Sequence, residues 1–378
     1  MSERAPGTAA ADAAGKPLPP VPGDGLILGR QWTVQRANEW YSRRPWIAGA
    51  NYLPRGAVNE LEMWQADTFD PDGIEREMSL AQGLGFTAMR TFLHDLAWSQ
   101  DPPGFYSRVG RYLQIASRHG ICTMFVLFDS VWDPDPQTGR QPDPVPGRHN
   151  SRWVQSPGRY ALSHASEYPR LETYVKQTVA RYARDPRVLA WDIMNEPDNT
   201  NQSAYGATEL PDKARYAFHL LVTAFGWARV IDPDQPLTAG VWHGDWGQDV
   251  LLGDFERFQL TASDIITFHS YEPPVEVSYK ISSLRRFARP VLCTEYMARP
   301  RGSTFAAVMP LLKKENVGAF SWGLVSGRSQ TIYPWDSWQK PYAAEPPVWF
   351  HDIFRSDGTP YLPEEIETIR SVTGAARQ

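Results

Sequence analysis

The stretch Val188-Leu189-Ala190-Trp191-Asp192-Ile193-Met194-Asn195-Glu196-Pro197 decides how this chain is read. Residues 188–194 are few, rich in bulky apolar side chains and preceded by the helix-ending pair Asp185-Pro186, so they predict a buried strand. Pro197 cannot donate to a sheet ladder and closes that strand, which leaves Asn195 and Glu196 displayed at its C-terminal lip. A polar pair at a strand exit is where α/β enzymes keep their chemistry.

Outward from this strand, apolar runs and helical periodicities alternate in both directions. Towards the N-terminus lie strands at 46–52, 86–93 and 121–128, with helices at 71–85, 107–119 and 169–184. Asp70 stands as the N-cap of the first of these helices, and Gly83 or Gly85 as its stop. Towards the C-terminus lie helices at 211–231, 248–259, 276–287 and 304–315, with strands at 237–242, 264–269, 290–295 and 317–322. Eight strands separated by helices imply parallel pairing with right-handed crossovers, and a chain without a second compositional zone predicts closure into one (β/α)₈ TIM barrel over residues 31–378. A doubly wound sheet is the alternative, but Ala50-Asn51-Tyr52-Leu53-Pro54-Arg55 replaces the Gly-rich phosphate loop expected after its first strand. The Pro-, Asp- and Gly-rich insert at 130–167 is expected to roof part of the barrel mouth and to favour short substrates, and Pro346–Phe354 to form the closing helix.

Composition narrows the function. The 38 basic and 43 acidic residues give a net charge of -5 with no basic block, which argues against nucleic acid and anionic membrane as partners. Fifteen Trp, 16 Tyr and 16 Phe are costly to expose unless flat apolar faces stack on them, and sugars present such faces. Cys122 and Cys293 lie in separate apolar runs and fit neither a disulfide framework nor a metal-ligand spacing. Residues 1–30 are expected to be a disordered tail; no apolar signal core is visible in them, so the expected location is cytoplasmic and no cofactor or metal is expected.

If the barrel closes, its strand ends gather Arg90, Asn195 with Glu196, His269 with Tyr271, Glu295 and Trp322 at one mouth. Alone, Asn-Glu-Pro reads as a turn and Arg90 as a structural ion-pair partner. Glu295, three strands later, makes Glu196 half of a pair, and paired carboxylates are what glycoside hydrolysis requires.

The stretches Met89-Arg90-Thr91-Phe92, Trp191 to Pro197, His269-Ser270-Tyr271, Leu292-Cys293-Thr294-Glu295-Tyr296 and Phe320-Ser321-Trp322-Gly323 resemble the clan A glycoside hydrolases, most closely the cellulase-like family 5. The resemblance implies a carbohydrate substrate, Glu196 as general acid/base, Glu295 as nucleophile and net retention. Within that scheme Asn195 would hold the sugar 2-hydroxyl, Arg90 and Tyr271 would keep Glu295 ionised, Trp242 would wall Glu196, and Trp322 would be the sugar platform. The family's third-strand His is replaced by Phe128-Asp129, making Asp129 the candidate to take over sugar binding; His94 could reach a non-reducing-end sugar. Among the loop tryptophans Trp64 is a further platform candidate, and Glu60 and Glu62 are read either as hydroxyl ligands or as a solvated loop. A transglycosylase and a non-catalytic glycan-binding barrel share these features and stay open as alternatives.

Overall fold

Eight short segments, each buried along its whole length or nearly so, pair in parallel: β1 (Ala48–Asn51), β2 (Ala88–Phe92), β3 (Cys122–Asp129), β4 (Val188–Asn195), β5 (Leu237–Thr238), β6 (Ile266–His269), β7 (Val291–Tyr296) and β8 (Gly318–Trp322). The computed structural model describes residues 11–376. Strand order runs β5-β4-β3-β2-β1-β8-β7-β6. The ring closes through Val241 just past β5, whose N–H donates to the Thr267 carbonyl at 3.1 Å and whose carbonyl accepts from the His269 N–H at 2.9 Å. This is the (β/α)₈ barrel, with helices in the connections. The parallel strands are covered on both faces, so they read as continuous apolar runs rather than alternating ones. Gly49 is required where β1 meets β2, because a Cβ there would sit 1.8 Å from the Ala88 carbonyl oxygen.

Local signals account for the helices. Asp70 caps Pro71–Gly83 by accepting from the Gly73 N–H, as its position predicts, and Asp101 caps Pro102–Arg118 in the same way. None of the described helices is long and apolar enough to cross a membrane.

Two expectations need correction. Residues 11–30, placed in a disordered tail, instead pack on the barrel, while residues 1–10 lie outside the described range. The Asp12 carboxylate accepts from the N–H groups of Ala14, Lys16 and Ala165, and Leu18 and Ile27 are buried. Few but well-spaced apolar residues suffice because Gly226 opens a seat on the helix Lys213–Ile231; a Cβ there would lie 2.2 Å from the Pro22 ring. Pro346–Phe354 is irregular rather than helical. Pro346-Pro347 withholds two N–H donors, Asp352 is left-handed at φ 62°, and the Arg299 guanidinium takes the carbonyls of Trp349, His351 and Asp352 that a helix would have used. The closing helix is Pro363–Thr373, stopped by Gly374 at φ 83°.

Candidate active site

Register sets the site. Asn51 pairs with Arg90 and with Trp322, Asp129 with Asn195, and His269 with Glu295, so the polar strand ends stand at one level around the mouth. Arg90 lies at the centre, fully buried. Its Nε and Nη2 donate to Asp192 at 3.0 and 2.8 Å, Nη1 to Asn51 and Glu295 at 2.8 Å each, and Nη2 to Asn195 at 2.7 Å. All five N–H donors of the guanidinium are therefore used, which fixes the carboxylate of Glu295 and the amide of Asn195 relative to each other. The structural partners Asn51 and Asp192 received no role from sequence. Their signal is charge balance, since a cation inside a sheet requires anions beside it.

The two glutamates share a carboxyl group and differ in partners. Glu295 Oε1 accepts from Arg90 at 2.8 Å and Oε2 from the Tyr271 hydroxyl at 2.7 Å, so both oxygens face donors, as a carboxylate requires. Burial raises its pKa, while His269 and Arg90 pull it back. Glu196 sits at φ 39°, a left-handed backbone for a residue with a Cβ, directly before Pro197. Its Oε1 pairs with His269 Nδ1 at 2.8 Å and its Oε2 accepts from Asn199 at 2.8 Å. Burial pushes Glu196 up to about 7, with the Asn199 hydrogen bond opposing and the Asp198 charge adding to the rise. Burial lowers His269 to about 4, which keeps its imidazole neutral. One carboxylate oxygen of Glu196 and one of Glu295 lie within 4.8 Å of each other.

Both glutamates open onto a cleft of about 860 Å³, together with Asn195, Trp242, His269, Tyr271 and Trp322. The insert contributes Trp132, His149 and Asn150 to its wall, as expected of a roof, and the segment after β8 adds Trp335 and His351. Trp242 donates to Asp198 at 2.6 Å beside Glu196.

Four candidates do not line this cleft. Arg90 acts from behind Glu295. Asp129 also stands behind the wall, accepting from Trp153 at 2.7 Å, Asn195 at 2.9 Å and Val131, so its oxygens hold Asn195 instead of a sugar. His94 is buried at the start of the helix Asp95–Gln100, where its Nδ1 caps the Leu96 N–H. Trp64 is fully buried, donates to the Phe92 carbonyl and packs on Phe69, Phe105 and Tyr112. The Asn59 cap folds 60–64 into a helix and turns Trp64 under β2, which no loop reading anticipates. That helix also buries Glu60 and Glu62; Glu62 accepts from the Val58 N–H and from Arg328, so neither residue is a solvated loop acid or a hydroxyl ligand.

Residues 147–322 match the family model Cellulase (glycosyl hydrolase family 5). Over that stretch the chain resembles the family 5 glycoside hydrolases. Its barrel resembles GH5_18 from Streptomyces cattleya, solved in complex with GlcNAc, with 13% identity, a TM-score of 0.57, and 88% of this chain and 82% of that one covered. It is also similar to the exo-β-1,4-mannosidase Op5Man5 from Opitutaceae bacterium strain TAV5, at 17% identity and a TM-score of 0.57, covering 97% of this chain but 61% of that one. The endo-1,4-β-mannanase from Rhizomucor miehei matches at 13% identity and a TM-score of 0.55, with 87% and 94% covered. No curated protein matches the chain in sequence. Among the described residues two side-chain groups bring metal-ligand atoms within 4.8 Å of one another, Glu196 with His269 and Glu295, and Asp198 with His243 and Glu256. The first group already spends those atoms on hydrogen bonds within the site, among them His269 Nδ1 to Glu196 Oε1.

Proposed function

We propose that the chain hydrolyses short β-linked glycosides with retention, Glu295 acting as nucleophile and Glu196 as acid and then base. The observation that carries this reading is the approach of the two carboxylates to within 4.8 Å, together with their unlike surroundings. Retaining enzymes hold the pair roughly 5–5.5 Å apart, whereas inverting enzymes need about 6.5–9.5 Å to admit a water. A Glu295 oxygen bonds to the anomeric carbon as the glycosidic C–O bond breaks, and Glu196 delivers its proton to the departing oxygen. Water then gives a proton to Glu196 and attacks the same carbon, releasing Glu295. Trp322 offers the sugar a flat face, and the free N–H of Asn195, whose amide is fixed by Arg90 and Asp129, is placed for the 2-hydroxyl. β-Mannosides are the first substrates to try, because the structural relatives whose names state an activity are an exo-β-1,4-mannosidase and an endo-1,4-β-mannanase.

A Glu295→Gly variant given an activated aryl β-mannoside and azide tests the assignment. The expected product is the α-glycosyl azide, formed at a rate that rises with azide. Parent-level hydrolysis in that variant would remove Glu295 from its role. An NMR time course of the parent should show the β-anomer first, and the α-anomer first would exclude retention.

A further inference from the structure

Besides His269 and the half-exposed His243, which pairs with Asp198, the cleft carries two buried histidines that the acid/base pair does not use. His149 comes from the insert and His351 from the irregular segment that replaces the expected closing helix. Each is 1% exposed, and the rings lie 5.4 Å apart. His149 Nδ1 lies 2.8 Å from the Tyr333 carbonyl oxygen and His351 Nδ1 2.6 Å from that of Met297. A carbonyl oxygen only accepts, so in both rings Nδ1 must carry the hydrogen. The neutral ring then leaves Nε2 as a bare acceptor, and both residues line the cleft. Burial favours the neutral form, lowering His149 to about 4 and His351 well below its ordinary value. His351 sits beside the sugar platform, 5.5 Å from the Tyr271 ring and 6.4 Å from that of Trp322, and His149 packs behind it against Trp132.

We propose that His149 and His351 form an acceptor-only recognition pair for hydroxyl groups of a neutral sugar seated on Trp322, and so determine which glycon the enzyme takes. This rests on the glycosidase reading given above. Two lone pairs aimed at the cleft accept from hydroxyls and repel a carboxylate, so uronic acids are disfavoured. Buried acceptors left without a donor penalise any sugar lacking the matching hydroxyl.

The test uses 4-nitrophenyl β-D-mannopyranoside, the corresponding glucoside and their monodeoxy forms, with the parent and two substitutions at each histidine. Asparagine places an amide near Nδ1, keeping the bond to the backbone carbonyl while removing the cleft acceptor. Glutamine does the reverse, offering an oxygen near Nε2. The parent should lose about 3- to 10-fold in kcat/KM on removal of the matching hydroxyl. His149→Asn or His351→Asn should erase that penalty at its own hydroxyl, and the Gln variant should retain it. Penalties that persist in both Asn variants, that disappear equally in Asn and Gln, or that are absent from the parent would overturn the proposal. Should the parent turn over none of these glycosides, the hydrolase reading fails separately. Tryptophan-fluorescence titration then gives the same comparison as ratios of Kd.

Discussion

Glu196 and Glu295 are the same side chain set among different neighbours. Glu295 has a donor on each oxygen, while Glu196 has a neutral imidazole, one amide and the Asp198 charge nearby. In the proposed mechanism Glu196 must hold its proton to act as the acid, and its pKa is raised to about 7, so kcat/KM should fall as pH rises through about 7. Asp198→Asn removes a charge that opposes ionisation and should move this alkaline limb to lower pH; a limb unmoved in the pH–rate profile would deny Asp198 that part. Tyr271→Phe deletes the donor to Glu295 Oε2, a hydrogen bond to a charged group worth about 1.5–3 kcal/mol. Its kcat should drop about 10- to 100-fold, and a kcat within twofold of the parent would show that Arg90 alone orients Glu295.

At the scale of elements, the helix Glu60–Trp64 separates packing from binding. Its five residues are all buried, and Asn59 both caps it and donates to Gln141 and to the Arg152 carbonyl in the insert. As a loop the segment would offer Trp64 as a sugar platform; as a helix it packs the ring into the core. Trp64→Ala should cost about 3–5 kcal/mol of stability, as large core truncations do, while KM for an aryl glycoside stays at the parent value. A raised KM without loss of melting temperature would restore Trp64 to the sugar. The barrel strands and the Asp70 cap were legible because their signals are local: apolar runs, a capping side chain, a terminating glycine. The helix at 60–64 was not, because a single turn carries too little periodicity, and Pro346–Phe354 misled because its buried Trp349, Ile353 and Phe354 have helical spacing while its backbone is held by Arg299.

For the molecule as a whole, the N-terminal segment is part of the folded unit. Leu18 and Ile27 are buried, and full burial of such side chains contributes about 1.5–3 kcal/mol each. Removing residues 1–30 should therefore lower the melting temperature by several degrees. Residues 11–30 lie against the helix Lys213–Ile231, outside the barrel and away from the cleft, so kcat should be preserved. Superimposable melting curves would return residues 11–30 to the status of a tail.

By itself the sequence determined the barrel and the meeting of Glu196 with Glu295 at its mouth. Strand-length apolar runs separated by helices admit few topologies, and two glutamates at strand exits fall on the same lip once those strands lie parallel. Tertiary structure decided which polar residues touch the cleft. Arg90 and Asp129 are consumed behind the wall, His94 and Trp64 are packed away, and His149 and His351 arrive from segments distant in sequence. The reason is physical: a periodic pattern states which face of an element is buried, but the partner of a buried polar group is set by what other segments bring within hydrogen-bonding reach.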